Sequence, residues 1–556
     1  MTRIVRDGFP VKTLAGIATA ALLLVACNGD NPGNPGPVNV AQCSGAACGP
    51  SGGPTSPPSN VKLCPDSLDY STTYTGGTGS GEYVKVKFNS TANPKTYQMT
   101  FVESEVPTSA GQVNNTRAGL TINGTYTTPD LYTPTGSTGT PLALPSAEQN
   151  RCAIVLLGGS TADKTYSIPI NPQDPPILFV GMGIMGGSSP GATIAFPGVT
   201  LFPGVTLGVV PSRTFDSYPF IAFSQTVTDF SKVAGTYNEL GFHVTPEGGS
   251  FQTGPSQTPG GTPQAGPLGW QPDAIQASET FKADGTCVPD TSQYSCGTTG
   301  TPWTLRTNAD GSADNVFRSG IPAGTPTYPV VGVGIQAAAF GTTNNAHGIM
   351  IVGNVGGTLV PVIIRVGEGF VNPTSPLLGA ILDDQIGISL LAPATTLAQS
   401  DLSGGYVGAN SVSACGVVTY AGQSSKATTG FSGQQVYPSA GACLDGSAST
   451  NAGVNSTAAL FQSPTGGLLN PFSATTSSNF TMDFTQTQPG LVKVTATSPL
   501  MSGNTAIYKA GDTGAIIKVG QVYALLMNGV NQQFTTQSPS NVSAVNPFLT
   551  VGAFVQ

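Results

Sequence analysis

The run Gly187–Gly191 carries the pattern that points most directly to catalysis, because its letters GSSPG fit the G-x-S-x-G turn that exposes a nucleophilic serine. In that turn the residue after the serine donates its backbone N–H to the oxyanion. Here that residue is Pro190, which has no N–H. His243 and His347 could act as bases, but the strand–helix alternation that supports such a turn is absent. We therefore do not assign Ser189 as a nucleophile, and we interpret His347 as a hydrogen-bonded surface group.

A second glycine motif precedes this run. Gly181–Gly186 (GMGIMG) fits G-x-G-x-x-G and follows the apolar run Ile177–Val180. Dinucleotide binding would require a helix directly after the motif and an acidic residue about 20 positions further on. The sequence provides neither, so we interpret the motif as a glycine loop between strands and predict no cofactor.

Paired carboxylates could supply the acid and base of a carbohydrate-active hydrolase. The candidates are Glu103 with Glu105 and Asp383 with Asp384. Sequence spacing does not fix the distance between two carboxylates across a site. Solvated strand edges explain both pairs, and the hydrolase remains an alternative.

Asp310, Ser312 and Asp314 in the run NADGSADN offer oxygen atoms at alternate positions, as a calcium-binding loop does. A tight hairpin turn uses the same residue types, and the bidentate glutamate of an EF-hand is missing. Calcium is therefore a weak alternative, and we predict no metal.

Cysteine usage predicts disulfides. Of the nine cysteines, Cys27 has a separate role described below, and the other eight form the even number that pairing requires. Eight cysteines allow 105 connectivities, so we pair them by nearness alone. With two histidines and no Cys-x-x-Cys pair, a metal site is poorly supported. The predicted pairs are Cys287 with Cys296, Cys415 with Cys443, Cys64 with Cys152 and Cys43 with Cys48.

The composition indicates an exported β protein. Charged residues make up 9% of the chain, against a typical value of about 25%. The 73 glycines and 46 prolines favour turns, and we find no pattern for a helix longer than about two turns. The net charge of −8 argues against nucleic acid as a partner.

The N-terminus has the features of a signal peptide. Three basic residues precede the apolar run from Leu14 to Ala26, which is too short to span a bilayer. Residues 1–26 are therefore predicted to be removed on export. The oxidising compartments outside the cytoplasm favour disulfides over free thiols.

The four residues Leu24-Val25-Ala26-Cys27 resemble the lipobox of bacterial lipoproteins. The resemblance implies that Cys27 becomes the first residue and carries a diacylglycerol and an acylated amine, with palmitate among the acyl chains. Several acyl chains together anchor a protein stably. Asn28 follows the cysteine, and within the resemblance this favours the outer membrane.

Residues 27–60 contain the lipidated cysteine and a stretch rich in Asn, Pro, Gly and Ser, which lacks the apolar residues that folding requires. We predict a disordered tether that reaches roughly 30 Å as a flexible coil. The folded body can therefore stand clear of the lipid.

Beyond residue 60 the apolar residues alternate with period two, which predicts an all-β fold. We expect two or three β-sandwich or meander-barrel domains, at 61–228, 229–400 and 401–556. The turn signals are Asp284-Gly285, Asp310-Gly311 and Asn354–Gly357. A tandem hexapeptide FPGVTL, at 196–201 and 202–207, gives either a loop or two rungs of extended chain. The predicted strands are Tyr83–Phe88, Thr96–Val102, Leu491–Thr497 and Ile516–Leu526.

The start of the middle block, Gly235-Thr236-Tyr237, resembles the Gly-x-Trp strand that opens lipocalin-type barrels. The resemblance implies a barrel-like middle domain that carries a small apolar ligand. Tyr237 stands where that family has Trp. A filled sandwich or barrel with a buried Tyr237 is the competing interpretation.

The segments AGLTINGTY, EQNRCAIVLLGG and VAGTYNELGF are similar to Gram-negative lipoproteins that are classed only as a domain of unknown function. This resemblance implies no activity. We therefore predict a non-catalytic, lipid-anchored protein of the cell envelope with a surface-interaction or structural role. Its expected partners are the membrane, through Cys27, and an envelope or extracellular molecule.

Overall fold

The protein is described by a computed structural model in which every described residue belongs to one compact unit, Ala41–Gln556. The residues described are 62–112, 115–135, 139, 141, 143, 147–172, 175–196, 199–202, 205–207, 210–247, 269–289, 302–319, 347–371, 380–383, 386–398, 401, 405–410, 428–429, 435–436, 457–462, 468–469, 478–497, 500–502, 505–508, 510–527 and 548–554.

The first sheet is a closed eight-stranded barrel with antiparallel neighbours. A 3-10 turn (Pro129–Leu131) and a short helix α1 (Ala147–Cys152) connect its fourth and fifth strands. The strands are β1 (Tyr74–Thr78), β2 (Tyr83–Asn89), β3 (Thr96–Glu103), β4 (Thr121–Thr127), β5 (Ala153–Ser160), β6 (Ile177–Val180), β7 (Ile184–Phe196), the side hairpin β8 (Val199–Phe202) and β9 (Val205–Leu207), and β10 (Val210–Phe223).

Side chains fill the lumen of this barrel. One buried cluster draws residues from all eight strands, among them Val84, Val86 and Phe88 on β2. Because side chains on a strand alternate between faces, Tyr83 on the same strand lies outside the lumen in another cluster. The two FPGVTL copies supply the paired strands β8 and β9.

The middle sheet has eight strands in the order β13-β12-β11-β20-β17-β16-β15-β14, and a 3-10 turn (Phe230–Val233) precedes it. A separate hairpin, β18–β19, lies between two of its strands along the chain. The strands are β11 (Gly235–Glu247), β12 (Gly269–Phe281), β13 (Cys287–Pro289), β14 (Thr304–Thr307), β15 (Ala313–Arg318), β16 (His347–Val355), β17 (Thr358–Val366), β18 (Glu368–Val371), β19 (Ala380–Asp383) and β20 (Ile386–Pro393).

Both faces of the middle sheet are covered. Ile349 and Ile351 belong to a cluster that also contains residues of the other two large sheets. Met350 and Val352 point the opposite way, into a cluster with Phe230. A strand that is buried on both faces has an uninterrupted apolar sequence, which explains the run IMIV.

The third large sheet is a second closed barrel, made of β21, β24–β27 and β30–β32. The strands of this part are β21 (Gly405–Asn410), β22 (Thr428–Thr429), β23 (Gln435–Val436), β24 (Thr457–Gln462), β25 (Leu468–Leu469), β26 (Ser478–Asp483), β27 (Val492–Ala496), β28 (Leu500–Ser502), β29 (Thr505–Tyr508), β30 (Thr513–Val519), β31 (Val522–Met527) and β32 (Phe548–Phe554).

The all-β prediction is confirmed, with one difference in detail. The predicted strand Ile516–Leu526 is a hairpin, because Gly520 adopts φ +55° and turns the chain between β30 and β31. The three predicted turn signals also lie between paired strands, and Gly285, Gly311 and Gly357 adopt positive φ there. Among the residues described, no helix is long and apolar enough to cross a membrane.

Candidate functional site

A chain of ionisable side chains joins the first barrel to the middle sheet. Glu103, the last residue of β3, forms an ion pair through Oε1 with Nε of Arg306 on β14. Nη1 of Arg306 lies 2.7 Å from Oδ2 of Asp314 on β15. Nζ of Lys85 on β2 lies 2.8 Å from the other oxygen of Asp314. We call Glu103, Arg306, Asp314 and Lys85 the junction network, in which negative and positive groups alternate.

The hairpin between β14 and β15 positions Asp314. Asp310 accepts hydrogen bonds from the backbone N–H and the hydroxyl of Ser312, and Gly311 supplies the positive φ of the turn. Asp310 and Ser312 therefore lie on an exposed turn, whereas the side chain of Asp314 is 2% exposed in the junction network. The structure does not bring the three residues of the calcium hypothesis to one point.

His347 extends the network. Its Nε2 lies 2.6 Å from Oε2 of Glu103, and its Nδ1 lies 3.2 Å from Nη2 of Arg318. A carboxylate oxygen can only accept, so Nε2 is the donor in the hydrogen bond to Glu103. This histidine, interpreted from sequence as a surface group, is hydrogen-bonded but buried.

The ring of Tyr83 lies beneath the network. Its hydroxyl lies 3.1 Å from Oδ1 of Asp314 and 3.1 Å from Oδ1 of Asn315. The guanidinium of Arg306 is 5.5 Å from the ring centroid, within the range of a cation–π contact. An aromatic ring thus shields one side of the charges from water.

The electrostatics favour the ionised form of the acids. Burial by itself raises the pKa of Glu103, but the hydrogen bonds and charges of His347 and Arg306 outweigh burial and hold that pKa at about 2. The pKa of Asp314 is also lowered, because Lys85, the backbone of Asn315 and Arg306 together exceed the effect of burial. Both carboxyl groups are therefore ionised near neutral pH and have no proton to donate as a general acid.

A second ion pair lies inside the first barrel. Arg117 and Glu82 are both fully buried, with 3.4 Å between Nη1 and Oε2. The hydroxyls of Ser80 and Ser104 donate to the carboxylate at 2.6 and 2.7 Å. Nε of Arg117 donates to the hydroxyl of Tyr166 at 2.8 Å. The pair is therefore enclosed by its own hydrogen-bond partners, as a buried pair requires.

The two glycine motifs occupy a strand and a turn. Ser189 lies inside β7, where it is fully buried, and its hydroxyl is 3.4 Å from the carbonyl of Tyr218. The neighbouring Pro190 carbonyl accepts from Arg117 at 3.3 Å. Gly181–Gly186 covers the turn between β6 and β7, which the backbone N–H of Gly181 closes with Ile184 at 2.7 Å. The motif continues directly into the strand β7 instead of the helix that dinucleotide binding requires.

A covalent clamp holds the first described residues against the first barrel. Cys64 and Cys152 form a disulfide with 5.7 Å between their Cα atoms, the pair that the sequence analysis put together. Glu148 accepts from the backbone N–H of Leu63 at 2.9 Å, and Arg151 donates to the carbonyl of Cys64 at 2.9 Å. The cysteines and Glu148 also have metal-ligand spacing, but the disulfide removes both thiolates.

The other predicted residues are scattered or outside the described residues. Glu105 follows β3 and is half-buried, Cys287 on β13 is buried and disulfide-bonded, and Tyr237 packs edge-on against Phe281. His243 and Asp383 lie on β11 and β19, whose side chains at these positions are not described. The residues outside the described part are Cys27, Cys43, Cys48, Cys296, Cys415, Cys443 and Asp384.

Four members of these ion pairs were not predicted from the sequence, namely Lys85, Arg306, Glu82 and Arg117. A signal was present, because charged residues are scarce and Lys85 interrupts the apolar strand YVKVKF. Partners more than 200 positions away in sequence, as for Lys85 and Asp314, cannot be found from spacing.

Residues 96–553 match the family described as protein of unknown function (DUF2957). The chain belongs to this family. The expectation of an uncharacterised family is confirmed, and the match extends over all three large sheets. No curated protein matches the chain.

Among solved structures, the chain is similar to the crystal structure of a mutant of the vaccine antigen transferrin binding protein B from Haemophilus parasuis. The identity is 9%, the TM-score is 0.17, and the match covers 65% of this chain and 85% of the other. A TM-score this low carries no argument about fold or function.

Proposed function

We propose that the protein is a lipid-anchored component of the cell envelope, held at the outer membrane through Cys27, whose folded body has a surface-interaction or structural role and no catalytic one. The lipobox supports the anchor. The observation that supports a non-catalytic role is the set of contacts around the junction network. Glu103, a candidate acid, and His347, a candidate base beside the network, bind each other, and each also contacts an arginine. Their contacts join two sheets. The carrier and the hydrolase remain alternatives that no specific contact favours.

The anchor is tested by labelling cells with a radioactive fatty acid. The wild-type chain is expected to carry the label and to stay in the membrane fraction, because several acyl chains hold a protein stably. The Cys27→Ser variant is expected to lose both properties. A labelled Cys27→Ser variant, or an unlabelled wild type, would contradict the proposal.

The face of the membrane is determined by proteinase K treatment of intact cells, with a periplasmic protein as the integrity control. Digestion of the C-terminal barrel in intact cells would assign the body to the exterior and direct the search to host, glycan or phage partners. Digestion only after permeabilisation would assign it to the periplasm and favour a structural role.

A further inference from the structure

The two ends of the first barrel differ in their connections. Since neighbouring strands are antiparallel, one end contains the segment before β1 and the turns β2–β3, β4–β5 and β6–β7. The Cys64–Cys152 disulfide, Glu148 and Arg151 lie at this end. We call it the clamp end. The described chain begins there, at Lys62.

Exposed apolar side chains are concentrated at the clamp end. Among the residues described, five large hydrophobic side chains are clearly exposed, and three of them, Tyr70, Leu131 and Met182, lie at this end. Leu131 is 73% exposed and Met182 is 50% exposed. The other two are Leu157, on β5 in the barrel wall, and Val288, on the edge strand β13 of the middle sheet.

Each of the three side chains belongs to a different connection. Met182 occupies the β6–β7 turn, where a Cβ on Gly181 would lie 3.9 Å from the carbonyl oxygen of Leu63. The hydroxyl of Tyr70 lies 2.5 Å from Oγ1 of Thr96, at the start of β3. Leu131 ends the 3-10 turn that follows β4. The three apolar side chains therefore lie on separate connections at the barrel end to which the N-terminal segment is attached.

We propose that the clamp end is a lipid-contacting surface, and that Tyr70, Leu131 and Met182 insert into the interface of the membrane that carries the anchor. The inference rests on the proposed function, since it takes Cys27 as the anchor. The lipid surface is the occupant because only residues 28–61 separate the anchor from the clamp end. A flexible tether of this length allows the body to stand clear of the lipid, but it also keeps the clamp end at an effective concentration of about millimolar, at which weak apolar contacts become populated.

The charges at this end nearly balance, so they neither attract nor repel a lipid headgroup strongly. Lys62 pairs with Asp66, and Glu148 pairs with Arg151. The same connections also contain the acidic Asp69 and Asp130 and the basic Lys95. Tyrosine and apolar side chains are the types that occupy the boundary between headgroups and acyl chains. Contact is therefore expected on zwitterionic and on anionic vesicles alike.

The experiment uses tryptophan fluorescence on vesicles of brominated phosphatidylcholine. Residues 28–556 carry a hexahistidine tag in place of Cys27 and bind a nickel-chelating lipid, so the readout does not depend on natural acylation. Met182→Trp is compared with Val288→Trp, since both parent side chains are 50% exposed. The wild type, with Trp270 and Trp303, gives the background.

Bromine quenches tryptophan only on contact within the bilayer, so the added emission of Met182→Trp is expected to fall about twofold on brominated vesicles. The added emission of Val288→Trp is expected to stay unchanged. Equal quenching of the two variants, or quenching of neither, would overturn the inference. If Met182→Trp fails to fold, Leu131→Trp against Leu157→Trp makes the same comparison.

A separate measurement isolates the proposed function. Mass spectrometry of the natural protein, extracted from membranes, shows whether Cys27 carries acyl chains. Absence of acyl chains would refute the anchor. The quenching experiment would still test the lipid-contacting surface, because there the protein is attached through the nickel-chelating lipid. Acylation without quenching would retain the anchor and refute that surface.

Discussion

The ion pair inside the first barrel and the junction network differ in how completely their charges are buried. Glu82 and Arg117 are both fully buried, and serine hydroxyls, a tyrosine and backbone carbonyls surround them. The junction network alternates four charges, and Lys85 at its margin keeps 30% of its side chain exposed. In the enclosed pair, loss of one partner leaves a buried charge without compensation. In the partly exposed network, water can solvate a charge whose partner is lost.

The two sites also connect different parts of the molecule. Glu82 and Arg117 belong to connections of the first barrel alone, so their loss should weaken that barrel. Glu103 and Lys85 come from the first barrel, but Arg306 and Asp314 come from the middle sheet. Loss of this network should loosen the contact between the sheets. Hydrogen exchange with mass spectrometry measures both effects, because it reports protection for each strand separately.

The largest expected effect is that of Arg117→Met. Without the guanidinium, the buried carboxylate of Glu82 loses its cation, and breaking a buried pair costs about 3–5 kcal/mol. Hydrogen exchange of β2, β3 and β7 should accelerate accordingly. The double variant Glu82→Gln/Arg117→Met should recover part of this loss, since it leaves no unpaired charge. If Arg117→Met lowered the free energy of unfolding by less than about 1 kcal/mol, the pair would not be enclosed as described.

A smaller effect is expected for Gly81→Ala, compared with Gly111→Ala. Both glycines adopt positive φ, +75° and +83°, so the backbone strain of the substitutions is similar. A Cβ at Gly81 would collide with the carbonyl oxygen of Arg365 on β17, whereas a Cβ at Gly111 would meet open space. Gly81→Ala should therefore cost about 1–3 kcal/mol more in free energy of unfolding, measured by urea denaturation. Equal losses would show that the two sheets can separate freely at this point.

The smallest and most pH-dependent effect is expected for Glu103→Gln. The folded-state pKa of about 2 lies below the ordinary value of 4.5. The carboxylate thus contributes stability above about pH 4.5 and loses it as the pH falls towards 2. At pH 7 the substitution should cost about 1–3 kcal/mol, the range for a buried polar group that loses its hydrogen-bond partner.

The pH dependence separates this effect from a general loss of stability. The difference between the wild type and Glu103→Gln should shrink between about pH 4.5 and pH 2, read from hydrogen exchange of β14–β16. Asp310→Asn is the matched control, because that exposed carboxylate caps a turn outside the junction network. A difference that stays constant over this pH range would refute the ionised role of Glu103.

Much of the fold could be predicted from the sequence because strand periodicity and turn residues act locally. YVKVKF and TYQMTFV became β2 and β3 within one residue of their predicted ends, and Gly311 marks the turn between β14 and β15. The prediction of a single strand at Ile516–Leu526 was wrong. Gly520 turns the chain there, but the apolar residues on both sides of it continue the strand pattern. Closure of two barrels depends on pairing between distant strands, such as β1 with β10, which periodicity does not encode.

The candidate site was less predictable. Glu103 and Asp314 were named from sequence, but as a hydrolase carboxylate and a calcium ligand. Their actual partners, Arg306 and Lys85, lie more than 200 residues away from Glu103 and Asp314 respectively. Residue types indicate which chemistry is possible, and only neighbours determine which group is charged and to what it binds.

By itself the sequence determined the all-β class, the local turns and the membership in an uncharacterised family. The class and the turns depend on residues that are close together in the chain, and family membership depends only on the order of the residues. The tertiary structure alone decided which faces are buried, that one apolar cluster spans three sheets, and that the scarce charges meet in one enclosed pair and one partly exposed network. The physical reason is that burial and Coulomb interactions depend on distance in space, and chain closure brings distant residues within a few ångströms of each other.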